Sequence, residues 1–380
     1  MDNVAVIGAG PAGLQTAMRI KEEGFNVSVY EDDSTIGSPE NCSGLISRSG
    51  VDDLKLDLTN CLQNEIKGAH IFSPSGTKLT IRRPSIVAYV VNRKQFDVGL
   101  ARKASKENID INTGKKLIDV RKNSLFLESS GRGELSKAEF VVGADGVNST
   151  VRHLIGQEIS KDSFIHSVQA LCVGDFEKDM VQVHLGDYAK GFFAWVIPTD
   201  ATHAKVGLGC KLGSKISENF NQFITETVKP MSVGKVQSSL IPYGLPLQTI
   251  QKDNMAIVGD AAFHTKATSG GGVIFGMKAA NVLADSITSN IKNKTPMSIY
   301  EKNMSGINKE LRMHWKVRQY VNSLGNEEMD KLFRKLKDKG IEDFLQMEGD
   351  MDQPSRFVGK MAKNPKYWFM AKTLIGIARS

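Results

Sequence analysis

Three glycines, Gly8, Gly10 and Gly13, stand between a short β-branched run, Asn3 to Ile7, and a helical stripe of Leu14, Ala17, Met18 and Ile20 that ends before Gly24. A G-x-G-x-x-G spacing carries weight only where a strand leads into it and a helix leads out. The first glycine makes the tight turn, the second lets the backbone approach a pyrophosphate, and the third lets helix and strand pack closely. Ala12, in the same turn, keeps the helix N-terminus unobstructed toward phosphates. A second alternating run, Asn26 to Glu31, completes a βαβ unit. Glu31, at the strand end, is placed to accept hydrogen bonds from ribose hydroxyls. These residues predict dinucleotide binding and leave the choice between NAD and FAD open.

Two later segments bear on that choice. The run from Val141 to Arg152 ends a strand in a glycine-bracketed aspartate, Gly143-Ala144-Asp145-Gly146, and Ile257-Val258-Gly259-Asp260-Ala261-Ala262 repeats the design. An aspartate freed by a neighbouring glycine at a strand's C-terminal end can reach ligand hydroxyls in the crevice of such sheets. Together with the N-terminal turn, these segments resemble the FAD-binding hydroxylase and reductase superfamily. By that resemblance Asp260 binds the ribityl chain, and the segment Ala144, Asp145 and Gly146 onward lies near the FAD pyrophosphate.

Four stretches narrow the resemblance. Pro39-Glu40-Asn41-Cys42-Ser43-Gly44-Leu45-Ile46-Ser47, Val91-Asn92-Arg93-Lys94-Gln95-Phe96-Asp97, Phe193-Ala194-Trp195-Val196-Ile197-Pro198 and Thr268-Ser269-Gly270-Gly271-Gly272-Val273-Ile274-Phe275-Gly276-Met277 are similar to the geranylgeranyl reductase family, particularly its archaeal members. Those enzymes saturate the isoprenoid chains of membrane lipids. The resemblance runs from Met1 to about Ile291 and implies an FAD-dependent oxidoreductase acting on CH–CH bonds. A hydride would leave reduced FAD for one alkene carbon, and a proton would reach the other. It implies that Cys42 is the active-site cysteine beside the flavin, with Ser43, Gly44 and Arg93 also at the cofactor, and that Phe193, Trp195 and Pro198 contact substrate. Phe193 stands where the family has Tyr, Ile197 where it has Phe, Thr199 where Lys is frequent, and Ala267 where Pro is common.

Some of these roles have independent physical sense. Gly270, Gly271, Gly272 and Val273 expose backbone N–H groups at a helix start, where the dipole favours negative charge on the N1–C2 side of a reduced flavin. An unactivated alkene has no carbonyl to polarise, so no oxyanion hole is expected; Cys42 and His264 are the candidate proton donors. Two rivals share the fold. An aromatic-ring monooxygenase would need NAD(P)H and dioxygen, and an electron carrier to quinone of the iron–sulfur type would need a cysteine set this chain lacks.

The pattern along the chain predicts an α/β protein with a discontinuous Rossmann-type FAD-binding domain (1–66, 92–160 and 245–292). An inserted antiparallel-sheet substrate domain (67–91 and 161–244) and a helical region (293–380) complete it. Cys42, Cys61, Cys172 and Cys210 form no C-x-x-C pair, so no metal site is expected and the thiols should be reduced. No run of about 18 apolar residues occurs, and the flank of Val4 to Ile7 is too acidic and the run too short for a signal peptide, which predicts a cytoplasmic protein.

Charge sharpens the picture of partners. Of 49 basic residues six lie between Gln353 and Ser380, where there is no acid, leaving 43 against 42 acidic residues elsewhere. That argues against a nucleic-acid-binding surface. It predicts instead an amphipathic helix over 364–380 that either touches the inner face of a membrane or packs on the protein's own core. The remaining partners expected are an isoprenoid lipid and an electron donor: ferredoxin, another reduced flavin or NAD(P)H.

Overall fold

The structure, a computed structural model, describes residues 3–40 and 42–367. The opening strand, Asn3–Ile7, lies inside a six-stranded sheet. Asn26–Glu31 and then Asp110–Thr113 run parallel on one side of it, Phe140–Gly143 and then Met255–Ile257 on the other, and Gln251–Lys252 closes that edge antiparallel. Strands covered on both faces read as unbroken apolar runs, and Val4, Val6, Val29, Val141, Val142 and Ile257 are all buried. The helix Pro11–Glu22 packs along Val273–Asn293, with Leu14, Ala17, Ala280 and Leu283 in one core. An antiparallel ribbon, Lys116–Arg121, Ser124–Ser129 and Arg132–Lys137, adds Leu117, Leu125 and Leu127 to that core.

The second sheet has eight strands. Phe164–Val173 pairs with His203–Lys211 on one side and with Ser232–Val233 and Gln237–Pro242 on the other. Beyond His203–Lys211 come Ala194–Pro198, Met180–His184, Gly68–Phe72 and Lys78–Arg82. The expectation of a purely antiparallel sheet fails at one pair: Met180–His184 runs parallel to Gly68–Phe72. More than a hundred residues separate the two strands, so no hairpin dictates their direction.

Two other expectations need correction. Ala88–Val91, assigned from sequence to the inserted sheet, pairs instead with Leu45–Ser47 and Leu62–Ile66 in a small separate sheet. The break at Pro84 turns the chain away from the large sheet before Val90 and Val91 are buried. The region 164–241 also contains a helix, Ile216–Gln222, continued as a wider turn, Phe223–Val228. Ile216, Phe220, Phe223 and Ile224 recur at helical spacing and bury one face against the large sheet.

The C-terminal helices Asn326–Asp338, Ile341–Glu348 and Pro354–Lys363 dock on strand Lys78–Arg82 through Leu79, Met329, Phe333, Leu336, Ile341 and Met361. Tyr367, read from sequence as part of a membrane-facing surface, joins that core and donates its hydroxyl to Lys339 O and Gly340 O at 3.0 and 2.9 Å. The rest of the amphipathic pattern, 368–380, lies outside the described residues. Among the described residues no helix is long and apolar enough to cross a membrane.

Candidate active site

The C-terminal ends of the parallel strands open into a cavity of about 760 Å³ that continues beneath the large sheet. Its nucleotide end is built by the glycine turn. A Cβ at Gly8, where φ is +105°, would fall 2.3 Å from Ala144 O, and one at Gly13 would fall 2.0 Å from Gly8 O. At Gly10 nothing lies within 4 Å, and Gly10, Pro11 and Ala12 line the cavity. The second glycine therefore faces open cavity while the other two permit close packing.

Two helices begin at this cavity without a side-chain cap and without an acidic residue in their first turn: Pro11–Glu22, capped by Gly10, and Val273–Asn293, capped by Gly272. Each leaves N–H groups and a positive dipole end for an anion. Gly270, Gly271, Gly272 and Val273 all line the cavity. A Cβ at Gly272 would come within 2.7 Å of Asp260 Oδ1, so the loop and this aspartate interlock. Asp260 accepts from Thr265 Oγ1 at 3.0 Å and lines the cavity. Burial pushes its carboxyl above the ordinary range, against Thr265 and the field of Arg93.

Arg93 enters from the start of helix Arg93–Lys106. Its Nη2 donates to both carboxylate oxygens of Asp97 at 3.1 Å, and its Nε is buried without a partner. Burial opposes its charge, but Cys42 and Asp97 beside it more than restore it and hold the guanidinium above its ordinary value. Cys42 lines the cavity, and its Sγ accepts from Gly44 N–H at 3.4 Å. Gly44 itself lies behind it, with φ +76° and no room for a Cβ against Val91 O; Ser43 and Ala144 line the cavity, as do Gly146 and Gly259.

The far wall is apolar. On Ala194–Pro198, side chains alternate: Trp195 and Ile197 face the cavity, and Ala194 and Val196 pack into the opposite core. Phe192 and Phe193 stack at 4.2 Å between centroids, and Trp195 meets Phe193 edge-on at 5.9 Å. Trp195 Nε1 donates to Gln169 Oε1 at 3.1 Å.

Four residues expected at the ligand lie outside the lining of this cavity. Pro198 falls on the other side of the alternation; its carbonyl accepts from Asn64 Nδ2 at 2.9 Å. Asp145 turns into its own loop, accepting from Ser149 Oγ at 2.5 Å and from Val151 N–H at 3.1 Å, because the short helix Thr150–Leu154 needs acceptors for its first amides. Glu31 accepts from Ala9 N–H at 2.6 Å and Asp33 N–H at 3.0 Å and so braces the glycine turn. His264 is wholly buried outside the cavity lining, its Nδ1 accepting from Gly259 N–H at 3.2 Å. Burial pushes it down to about 3, so it stays neutral and holds the strand end in place.

Three further contributors escaped the sequence reading. Lys266 lines the cavity and binds Asp352 Oδ1 at 2.6 Å, and Ser47 donates to the other oxygen of Asp352. Lys205 binds Glu40 at 2.7 Å, fixing the cysteine loop to the large sheet. Arg318 donates to Ala267 O, Phe192 O and Thr268 O at 3.0, 3.2 and 2.6 Å beneath the two phenylalanine rings; burial pushes it down to about 10.

The uncapped helix starts, the space at Gly10 and the unpartnered Arg93 Nε fit a flavin dinucleotide, whose pyrophosphate the first helix start would hold and whose hydroxyls Asp260 would take. Among the described residues no cluster suits a metal ion.

The comparisons agree with that shape. A family model described as lycopene cyclase protein matches residues 3–363. An uncharacterized protein of Methanocaldococcus jannaschii is 30% identical over 95% of both chains. A digeranylgeranylglycerophospholipid reductase of Methanococcus vannielii is 27% identical over 89% of this chain and 88% of its own. Among solved structures, a geranylgeranyl bacteriochlorophyll reductase-like protein from Thermoplasma acidophilum superposes with a TM-score of 0.86 at 22% identity, covering 99% of both chains. The chain belongs to the family described as lycopene cyclase protein.

Proposed function

We propose that the protein reduces isolated double bonds in the geranylgeranyl chains of archaeal-type membrane lipids or their precursors, with FAD as its cofactor. One observation carries the reading: two uncapped helix starts and an aromatic, aliphatic wall meet in a single cavity, so an anionic cofactor and a long apolar chain are accommodated side by side. The M. vannielii relative and the family both carry names that point to isoprenoid substrates. Bound FAD, once reduced by an electron donor such as ferredoxin, another reduced flavin or NAD(P)H, supplies the hydride equivalent.

The chain's own residues do the rest. Ala12, Gly13 and the amides of 270–273 hold the anionic parts, Asp260 takes hydroxyls, and Phe192, Phe193, Trp195 and Ile197 exclude water and align the alkene. The second alkene carbon needs a proton. Cys42 Sγ, which lines the cavity, is the proposed donor, flanked by Gly44 N–H and Arg93, both able to stabilise negative charge left on sulfur. Each cation lining the cavity at depth, Arg93 and Lys266, is paired with a carboxylate, so the charged head of a lipid stays at the mouth while its chain enters.

Cys42→Ser is expected to lower the rate of alkene reduction about 100-fold or more, the scale of one general acid, with FAD content unchanged. Unaltered turnover would remove the thiol from the reaction. The reading as a whole is tested by incubating the reduced protein with unsaturated archaeal-type lipid. Products heavier in steps of two hydrogens are expected, and lipid of unchanged mass overturns it.

A further inference from the structure

One wall of the cavity runs out to the surface at a sheet edge. On Phe164–Val173 the side chains of Ile165, Ser167, Gln169 and Leu171 share a face. Ile165 is in the core, Ser167 and Gln169 line the cavity, and Leu171, about 7 Å farther along the strand, is 48% exposed. The facing strand pairs Ser239 with Ser167 and Gln237 with Gln169, and both partners line the cavity as well. The segment just before it extends the rim. Backbone bonds of 2.8 Å from Met231 N–H to Val173 O and from Gly234 N–H to Leu171 O hold it at the strand end. Residues 231–236 are all exposed, with Met231 at 82%, Val233 at 43% and Val236 at 47%.

Leu171 on the cavity face and Val233 on the opposite face, where its pairing with Cys172 puts it, together with Met231 and Val236 leave four large apolar side chains in water at this end of the sheet, and such exposure marks an interaction surface. Its charge names the partner. No Asp or Glu occurs between Glu226 and Asp253, and Lys229 and Lys235 are exposed beside the apolar residues. Such a pattern suits apolar side chains in the acyl boundary with lysines among anionic headgroups. We propose that this rim, Leu171 with residues 231–236, rests on an anionic bilayer and admits a lipid's isoprenoid chain to the cavity directly. The proposal rests on the reading of the protein as a reductase of membrane-lipid isoprenoids, and it moves the membrane contact from the C-terminal segment to the open end of the sheet.

The test is co-sedimentation of the full-length, FAD-loaded protein with vesicles of phosphatidylglycerol and phosphatidylcholine, and with phosphatidylcholine alone. Wild-type protein is expected to bind the anionic vesicles and to lose binding as salt rises. Met231→Glu combined with Val236→Glu should weaken binding at least tenfold while flavin content, melting temperature and reduction of detergent-dispersed lipid stay as in wild type. Lys229→Gln with Lys235→Gln should weaken it on anionic vesicles only. Equal binding by wild type and the Met231/Val236 variant overturns the proposal, as does absence of wild-type binding. So does loss of binding on deletion of 368–380 with the rim substitutions silent. Binding is read without catalysis, so a protein that binds through this rim yet reduces no lipid would fail the reductase reading alone.

Discussion

Acidification is expected to cost the fold a rising amount below about pH 6.5, reaching about 4 kcal/mol per pH unit near pH 5, the combined limiting slope of three histidines at about 1.4 kcal/mol per unit each. His264, His314 and His184 are buried. Burial pushes them down to about 3, about 3 and about 4, and the charge of Lys266 adds to the effect at His314. The unfolded chain takes up protons on these rings below its ordinary value near 6.5, while the folded chain does not until pH 4 to 3. The unfolded state therefore binds more protons across that window, and the stabilisation present above pH 6.5 is lost as pH falls. Glu31, Asp97, Asp145 and Asp260 act in the opposite sense. Burial raises each of them, so the folded state holds their protons more tightly and blunts the loss at the acid end. Since whole domains are stable by about 5–15 kcal/mol, urea midpoints should drop sharply from pH 7 to 5. His184→Gln, which removes a ring stacked on Phe72 at 4.4 Å and donating to Gln182 at 3.0 Å, should flatten the slope by about a third. Midpoints independent of pH over this range would mean that the folded protein accepts these protons.

The parts of the site visible in sequence are those where the backbone leaves no choice. Gly8, Gly10, Gly13 and Gly270 to Gly272 had to be small because strand, helix and ligand approach closely, and that need is written within a few consecutive residues. The carboxylates and His264 were harder. An aspartate at a strand end either faces a cavity or feeds the amides of the next turn, and the same local sequence serves both; Asp260 does the first and Asp145 the second. The helix at Ile216 was legible in principle, since Ile216, Phe220, Phe223 and Ile224 keep helical spacing, but β-rich flanks outweighed it. Lys266 with Asp352, Lys205 with Glu40, and Arg318 with Ala267 join residues 86, 165 and 51 positions apart. Only the packed fold brings them together, and no local pattern announces such pairs.

Of these long-range ties, the one between Lys266 and Asp352 has the largest expected consequence. Both side chains are buried, at 6% and 4% exposure. Burial opposes the charge on Asp352, and Lys266 and Ser47 together hold its carboxyl below the ordinary range. Asp352→Ala strands an ammonium in the interior and should cost about 3–5 kcal/mol in urea unfolding at pH 7. Lys266→Met alone strands the carboxylate and should cost a similar amount. Removing both charges together, as Lys266→Met with Asp352→Ala, should recover much of the loss, because no buried charge is then left without its partner. The site should register the same changes. Lys266 N–H donates to Gly271 O at 3.1 Å, its carbonyl accepts from Gly270 N–H at 2.8 Å, and its Nζ reaches Met351 O at 3.3 Å. The pair thus pins the glycine loop to the C-terminal segment that closes the cavity beside Ser47 and Met351. Asp352→Ala is therefore expected to release flavin on dilution more readily than wild type, measured by fluorescence, with the double variant intermediate. Costs that simply add across the two single variants would show that the charges do not interact, and the loop would then owe its position to packing alone.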